Sequence, residues 1–217
     1  MIIMRDLLYD ECYLASHGYR CEAEIKASYR GSTHLSKVVT AKKDGQVGFV
    51  FVASHEDAQH FLRLRSIQDA FLGAAKIVDV IENRVFIVER APGTLLWHIE
   101  DGLPEPESFR SALDAFVGSL EQVGLVHGDL RPWNVFYDPR KGFTVIDWGF
   151  SFFTGDSRVM KMSGHFEASR HKQPFLHVDK LDADRIVQLV EGRIGWEDAW
   201  GHPNEITWGP PWAKRKS

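Results

Sequence analysis

Two short polar segments in the second half of the sequence contain side chains that could take part in catalysis. One is LVHGDLRPWN, which ends at Asn134, and the other is VIDWG, which contains Asp147. Asp129 is a carboxylate that can accept a proton, and Arg131 is a permanent cation. Asn134 and Asp147 offer amide and carboxylate oxygens, which are the ligands that Mg²⁺ prefers. The set combines a base, a cation and ligands for a hard metal ion.

These four side chains match what phosphoryl transfer requires. The transition state is loose, so catalysis depends mainly on positioning the reactants and neutralising charge. It needs a carboxylate near the attacking hydroxyl, a cation near the phosphoryl group and oxygen ligands for magnesium. Two other interpretations stay open. The residues could be turn residues with a buried hydrogen bond between His127 and Asp129. Alternatively, these two could form the metal pair of a hydrolase, although the further His or Asp cluster of a two-metal site is missing.

The elements around the two segments should bring them together. Apolar strand pieces are predicted at Val135–Tyr137 and Phe143–Ile146, joined by the turn Asp138–Gly142. Both polar clusters lie at the ends of these strands, so both are expected to emerge at one edge of the same hairpin. A loop-borne site would be held rigidly there.

The first half of the chain is predicted to be mostly β. Ser54 is a plausible helix N-cap, and the helix that follows should end near Leu72, before Gly73. The Asp-Gly pair at residues 44–45 is typical of a tight hairpin. Strands are predicted, in chain order, over Glu22–Tyr29, His34–Lys42, Gln46–Ala53, Ile77–Val80 and Arg84–Glu89.

The signal becomes helical beyond the break at Ala91-Pro92-Gly93, where we place a lobe boundary near residue 90. A helix is predicted over Glu107–Val123, with Gly124 at the position that favours a left-handed residue. A second helix is predicted over Ala183–Glu191. The apolar stripe of the first helix is expected to comprise Phe109, Ala112, Leu113, Phe116, Val117, Leu120 and Val123. The arrangement is α+β with two layers.

Composition limits the class of protein. The 217 residues suffice for one domain of two lobes, with 44% hydrophobic and 26% charged residues. A net charge of −4 provides no basic field for nucleic acid. No apolar run approaches the ~20 residues that span a bilayer, and the two cysteines indicate no disulfide framework. We expect a cytoplasmic protein without a transmembrane segment; secretion as an effector stays an open alternative.

The two polar segments resemble the catalytic loop and the metal motif of the protein-kinase-like superfamily. The loop follows the pattern His/Tyr-x-Asp-x-x-x-x-Asn, and Asp147-Trp-Gly stands where the family has Asp-Phe-Gly. The thirteen residues from Asn134 to Asp147 are the spacing common in protein kinases. The resemblance implies that Asp129 is the catalytic base and that Asn134 and Asp147 are magnesium ligands. It puts Arg131 in place of the usual loop lysine and gives His127 a structural role.

The resemblance also implies ATP and Mg²⁺ as cofactors and a two-lobed kinase-like fold. Residues 1–217 would form a single kinase-like domain, with a small, mostly β N-lobe at 1–90 and a shortened, mainly helical C-lobe at 91–217. The C-lobe would contain the catalytic loop 127–134 and the metal motif 147–149. The segment around Glu89 and Arg90 looks like the hinge that binds adenine through its backbone. The segment with Gly31 and Ser32 resembles a degenerate phosphate loop, although a plain hairpin is an equal alternative.

The sequence departs from the family pattern on one strand. The strand Gly48–Ala53 should carry the lysine that contacts the phosphates, and it contains none. Lys37 or Lys42 on the preceding strand could replace it, or both could be surface lysines. Glu56 and Asp57 are candidates for the acidic partner, with helix capping as the alternative. The missing lysine leaves open a non-catalytic, nucleotide-binding pseudokinase.

The expected acceptor follows from the remaining length and from the loop. Only 68 residues follow Gly149, and no Ala-Pro-Glu motif closes a long activation segment. The sequence Asp-x-Arg-x-Trp-Asn with Trp133 resembles a variant of some bacterial glycan-modifying kinases. We therefore expect a kinase (a transferase that phosphorylates an alcohol group) whose acceptor is a sugar, a lipopolysaccharide or other glycan, or a small molecule. The alternative is a minimal protein Ser/Thr kinase with a protein acceptor.

Overall fold

The computed structural model describes residues 11–25, 38–53, 55–99, 102–156 and 177–195. The chain divides into two compact units. The first comprises the described residues up to Gln68 together with Ala75–Arg90, and the second comprises Asp69–Ala74 together with the described residues from Ala91 onward. The predicted α+β class is confirmed, since a β-sheet dominates the first unit and helices with small sheets form the second.

The first unit contains an antiparallel five-stranded sheet in the order β1-β2-β3-β5-β4. The two hairpins whose turns the structure describes are tight, because Asp44 and Gly45 have φ of 51° and 83°, and Glu82 and Asn83 have φ of 50° and 55°. Positive φ at both central residues matches the right-handed twist of the flanking strands. The predicted Asp-Gly hairpin is confirmed. The strands are β1 Arg20–Ile25, β2 Val38–Lys43, β3 Gln46–Val52, β4 Ile77–Ile81 and β5 Val85–Glu89.

Helices α1 (Glu11–Ser16) and α2 (His55–Ile67) complete the first unit. The residue Leu14 of α1 is fully buried in a core cluster that includes Val50 of β3. Val50 and Phe51 are neighbours on one strand, so their side chains point to opposite faces of the sheet. The Phe51 ring packs against Phe61 of α2, with centroids 4.8 Å apart. The sheet is therefore covered on both faces, by α1 and by α2.

The second unit is built on α3 (Pro106–Gln122). Proline fits the first helical position, and the preceding Glu105 caps the helix by accepting from two backbone N–H groups. The helix predicted over 107–123 is confirmed to within a residue at each end, and Gly124 has the expected positive φ of 66°. The predicted buried stripe is wrong at Ala112, which is exposed, because this position lies at the edge of the buried face.

Short strands and one more helix accompany α3. Strands β6 (Thr94–Leu95), β8 (Val135–Asp138) and β9 (Gly142–Val145) form one sheet, and β7 (Leu125–Val126) pairs with β10 (Phe152–Phe153). Helix α4 (Val178–Val190) packs against α3. It begins five residues before the predicted start at Ala183, and its first turns bury Asp179 and Asp182 together with Val178.

None of the helices within the described ranges combines the length and the apolar character that crossing a bilayer would require.

Candidate active site

The β8–β9 hairpin brings the two polar segments together. Val135 pairs with Val145, so Asn134 and Ile146 lie side by side at the same end of the hairpin. The Ile146 N–H donates to the carbonyl oxygen of Asn134 at 2.8 Å. The prediction that both clusters emerge at one edge of a single hairpin is confirmed.

His127 is completely buried and supports the backbone of the catalytic loop. Its Nε2 lies 3.0 Å from the carbonyl oxygen of Ile146, and its Nδ1 lies 3.2 Å from the Asp129 backbone nitrogen. These contacts assign the proton to Nε2, since Nδ1 must accept from the Asp129 N–H. Burial lowers the pKa of His127 to about 4, so the ring is neutral at pH 7. Its edge packs against Trp148, with centroids 4.6 Å apart.

This environment argues against the hydrolase alternative. Both ring nitrogens of His127 are engaged with the backbone, so neither is available to a metal ion. In the ranges that the structure describes, there is also no group of three or more His, Cys, Asp or Glu side chains that could hold a metal. A magnesium site of the kinase type differs from such a group, because one or two protein ligands suffice when substrate phosphates and waters complete the shell.

The Asp129 carboxylate is held at both oxygens and is only 4% exposed as a residue. Asn134 Nδ2 donates to Oδ2 at 2.8 Å, and Arg131 Nε lies 2.8 Å from Oδ1. The Arg131 contact is an ion pair without hydrogen-bond alignment, since the Nε–H has no correctly directed acceptor despite the short distance. Burial raises the pKa of Asp129, while the charge of Arg131 and the Asn134 hydrogen bond act in the opposite direction.

The same contacts fix the orientation of the Asn134 amide. Nδ2 donates to the Asp129 carbonyl oxygen at 2.9 Å as well as to the Asp129 carboxylate. Both N–H bonds of the amide are therefore used by one residue. The amide oxygen consequently faces away from Asp129 and is the atom that could serve as a ligand.

Asp147 follows β9 in a left-handed conformation, with φ of 61° and ψ of 74°. Aspartate is one of the few non-glycine residues that adopt this conformation readily. Its Oδ1 accepts a hydrogen bond from the Gly149 N–H at 3.2 Å. The residue as a whole is exposed, yet protein atoms surround its carboxyl group closely enough for burial to raise its pKa, and the charge of Asp129 raises it further.

Two aromatic rings accompany Arg131. Its guanidinium carbon lies 5.2 Å from the centroid of the Trp133 ring, within the range of a cation–π contact. Trp133 in turn meets the buried ring of Trp97 edge-on, with centroids 5.3 Å apart. The Arg131 side chain is 21% exposed, so it is reachable by a ligand.

Helix α4 contributes two carboxylates that the sequence reading missed. Asp179 accepts the backbone N–H of His127 at 2.5 Å and that of Gly128 at 2.8 Å. Asp182 lies one turn later, is 1% exposed and contacts Arg185 at 3.3 Å. The signal was present: Asp179, Asp182, Ile186 and Leu189 recur at helical spacing, which would have placed the acids on the buried face.

The predicted nucleotide-binding residues are Gly31, Ser32, Lys37, Glu89 and Arg90. Gly31, Ser32 and Lys37 lie outside the described residues, and of Lys42 only the backbone is described. The remaining two, Glu89 and Arg90, belong to the first unit.

Both residues make contacts at the end of β5. The Glu89 carboxylate accepts the Lys76 N–H at 2.9 Å, and the Arg90 N–H donates to the Val47 carbonyl oxygen at 3.4 Å. Their role in binding adenine stays a prediction.

The lysine that contacts the phosphates was expected on the strand that forms β3. This strand pairs with β2 and β5 and has no lysine along its length. On the face covered by α2, Phe51 packs with Phe61 and is stacked on Phe86 at 5.4 Å between centroids. Aromatic packing, rather than an ion pair to this strand, joins the described part of α2 to β3.

A protein-family model matches the part of the chain that contains the two polar segments. The model of the phosphotransferase enzyme family (APH) matches residues 88–154. This stretch is about a third of the chain and contains both polar segments, from the loop at 127–134 to the motif at 147–149. The family is a member of the protein-kinase-like superfamily, so the resemblance of the two segments to kinases is confirmed. The match indicates a phosphotransferase.

Proposed function

We propose that the chain is an ATP- and Mg²⁺-dependent kinase that transfers the γ-phosphate to a hydroxyl group on a sugar, a glycan or another small molecule. The observation that carries the proposal is the environment of Asp129. A buried carboxylate held by a cation and an amide, at the same hairpin edge as a second carboxylate, is suited to phosphoryl transfer.

In the proposed reaction the oxygen of the acceptor hydroxyl attacks the γ-phosphorus of ATP while Asp129 accepts the hydroxyl proton. The bond between the γ-phosphorus and the bridging oxygen breaks, and ADP leaves. Burial favours the proton transfer, because a raised pKa makes the carboxylate a better proton acceptor near neutral pH. Arg131 provides a positive charge beside the reacting groups, where negative charge accumulates on the phosphoryl oxygens. Asn134 keeps the carboxylate of Asp129 in place through its hydrogen bond.

The residues fit a magnesium ion. The amide oxygen of Asn134 faces away from Asp129, and repulsion by the Asp129 charge raises the pKa of the Asp147 carboxyl. A divalent cation would relieve that repulsion, and Asn134 and Asp147 would hold it. When bound, Mg²⁺ neutralises charge on the phosphate oxygens.

The proposal also specifies the class of molecule that accepts the phosphate. The Arg131-Pro-Trp133-Asn134 sequence of the loop supports a glycan or small-molecule acceptor through its resemblance to glycan-modifying kinases. A minimal protein Ser/Thr kinase is the second candidate within the same chemistry. A nucleotide-binding pseudokinase is favoured by one observation, the aromatic packing of Phe51 on the strand that should carry a lysine.

The test is the transfer of labelled γ-phosphate from ATP in the presence of Mg²⁺, with saccharide extracts and proteins as acceptors. We expect Asp129→Asn and Asp147→Asn to reduce transfer by at least about 100-fold. Asp114→Asn is the matched control, since it removes the same charge from an exposed site on α3 and should retain full transfer. The labelled product identifies the acceptor class. Thermal stabilisation by ATP without transfer would favour the pseudokinase, and the absence of both effects would refute the proposal.

A further inference from the structure

The Arg131 guanidinium is positioned by two different contacts. Its Nε lies 2.8 Å from Asp129 Oδ1, which fixes one edge of the group. Its central carbon lies 5.2 Å from the Trp133 centroid, which places an aromatic ring beside its plane. Arginine side chains carry about 2 kcal/mol of rotamer entropy, so a cation that must act at one place gains from such constraints.

Besides these two contacts, the positive charge of Arg131 acts on the buried Asp182, where it opposes the rise in pKa that burial causes. Among the residues that the structure describes, the terminal nitrogens of Arg131 form no hydrogen bond or ion pair. The side chain is 21% exposed, so these donors are accessible. A planar fork with two uncommitted amino groups beside a carboxylate base is suited to the oxygens of a phosphoryl group.

Trp133 is itself supported. Its ring meets Trp97 edge-on at 5.3 Å between centroids, and Trp97 is 3% exposed. The backbone on either side is also fixed, because Pro132 restricts the loop and the Asn134 N–H donates to the Arg131 carbonyl oxygen at 2.8 Å. The indole is therefore supported by the Trp97 ring and by a constrained backbone.

We propose that Trp133 is a positioning residue, which holds the Arg131 guanidinium against Asp129 so that its terminal N–H groups meet the transferred phosphoryl group. The inference rests on the proposed function. It adds a role for the tryptophan that lies two residues after Arg131 in the loop. It predicts that Trp133 acts through Arg131 and not through the acceptor.

The kinetic test compares Trp133→Leu, Trp133→Phe and Arg131→Lys, with Trp133→Leu/Arg131→Lys as the double variant. We expect Trp133→Leu to lower kcat about tenfold with the KM for ATP and acceptor unchanged, because a less constrained Arg131 would be aligned less often with the charge that develops on the phosphoryl group. Trp133→Phe keeps an aromatic face and should stay within about threefold of wild type. The double variant should be no slower than the worse single variant, because both changes remove the same contact. An unchanged kcat with a raised acceptor KM would overturn the inference.

A second readout does not depend on activity. The Arg131 Nε–H signal in a ¹H–¹⁵N spectrum, assigned by its absence in Arg131→Lys, should carry a ring-current shift that disappears in Trp133→Leu and persists in Trp133→Phe. Contacts between Arg131 and indole protons in the wild-type nuclear Overhauser spectrum test the same placement if Trp133→Leu does not fold.

The two readouts separate the hypotheses. If wild type transfers no phosphate, the proposed function fails, and the spectra alone then decide whether Trp133 holds Arg131. An Nε–H signal that is the same in all Trp133 variants, without indole contacts in wild type, would overturn the inference whatever the activity.

Discussion

The buried carboxyl group of Asp182 allows a test of how burial changes ionisation in the second unit. Its side chain is 1% exposed, on the buried face of α4. Burial raises its pKa from the ordinary 3.8 to about 8. Arg131 from the catalytic loop and Arg185 from its own helix act in the opposite direction, whereas Asp179 and Asp129 add to the rise. The structure thus predicts that Asp182 is neutral at pH 7.

The sign of the pH dependence follows from this shift. Between pH 4 and pH 8 the folded chain holds a proton on Asp182 that the unfolded chain has released. The stability that this proton confers is complete below the unfolded pKa, and it is lost as the pH rises towards the folded pKa. The loss is about 1.4 kcal/mol per pH unit. Both pH 5 and pH 7 lie between the unfolded and the folded pKa, so the free energy of unfolding falls by about 3 kcal/mol over this range.

Asp182→Asn should remove this dependence, because the amide resembles the neutral acid in shape and cannot ionise. We would measure the free energy of unfolding in urea at pH 5, 6 and 7, by circular dichroism, for wild type and variant. The difference between them should shift in favour of the variant by about 3 kcal/mol over this range. The contribution of Asp179 is common to both proteins and cancels to first order.

Asp184→Asn is the matched control on the same helix. The Asp184 side chain is 48% exposed and pairs with Arg110 at 2.9 Å on the surface. Its replacement should cost at most about 1 kcal/mol, with little change over the same pH range. If Asp182→Asn instead destabilises the protein by the same amount at all three pH values, Asp182 is ionised and its pairing with the arginines outweighs burial. That result would refute the reasoning.

Two further predictions concern the packing around the site. Gly93 has φ of 82°, and a Cβ there would lie 2.1 Å from the Tyr137 carbonyl oxygen, so Gly93→Ala should lower the free energy of unfolding by at least about 2 kcal/mol. Gly118→Ala is its control, because it lies inside α3 with nothing within 4 Å and should raise stability by about 1 kcal/mol. Equal effects of the two changes in thermal unfolding would contradict this. Asp179→Ala should lower the free energy of unfolding by about 2–5 kcal/mol and reduce phosphate transfer, because two buried loop N–H groups lose their acceptor. A wild-type transfer rate would show that the loop keeps its shape without Asp179.

The features that sequence reasoning found were those that neighbouring residues determine. The Asp44-Gly45 turn, the α3 stripe ending at Gly124 and the β8–β9 hairpin all follow from patterns a few residues long. Sequence reasoning missed α1, since six residues are too few for helical periodicity to show, and its Leu14 is buried only by contact with the sheet. The predicted helix over Ala183–Glu191 starts five residues later than α4, whose first turns bury Asp179 and Asp182.

The sequence by itself determined which groups stand at the candidate site and in what order. The spacing of Asp129, Arg131 and Asn134 and the hairpin that leads to Asp147 are properties of a continuous stretch. Turn chemistry and strand pairing act over that short range. The family match over residues 88–154 covers the same stretch.

Only the tertiary structure decided the environment of these groups. Asp179 reaches the loop from 52 residues further along the chain and holds its backbone in place. Burial makes His127 neutral and raises the pKa of Asp129, and neither effect can be read from residue types. The physical reason is that desolvation and long-range hydrogen bonds depend on which distant elements pack around a group, and packing is set by the whole unit.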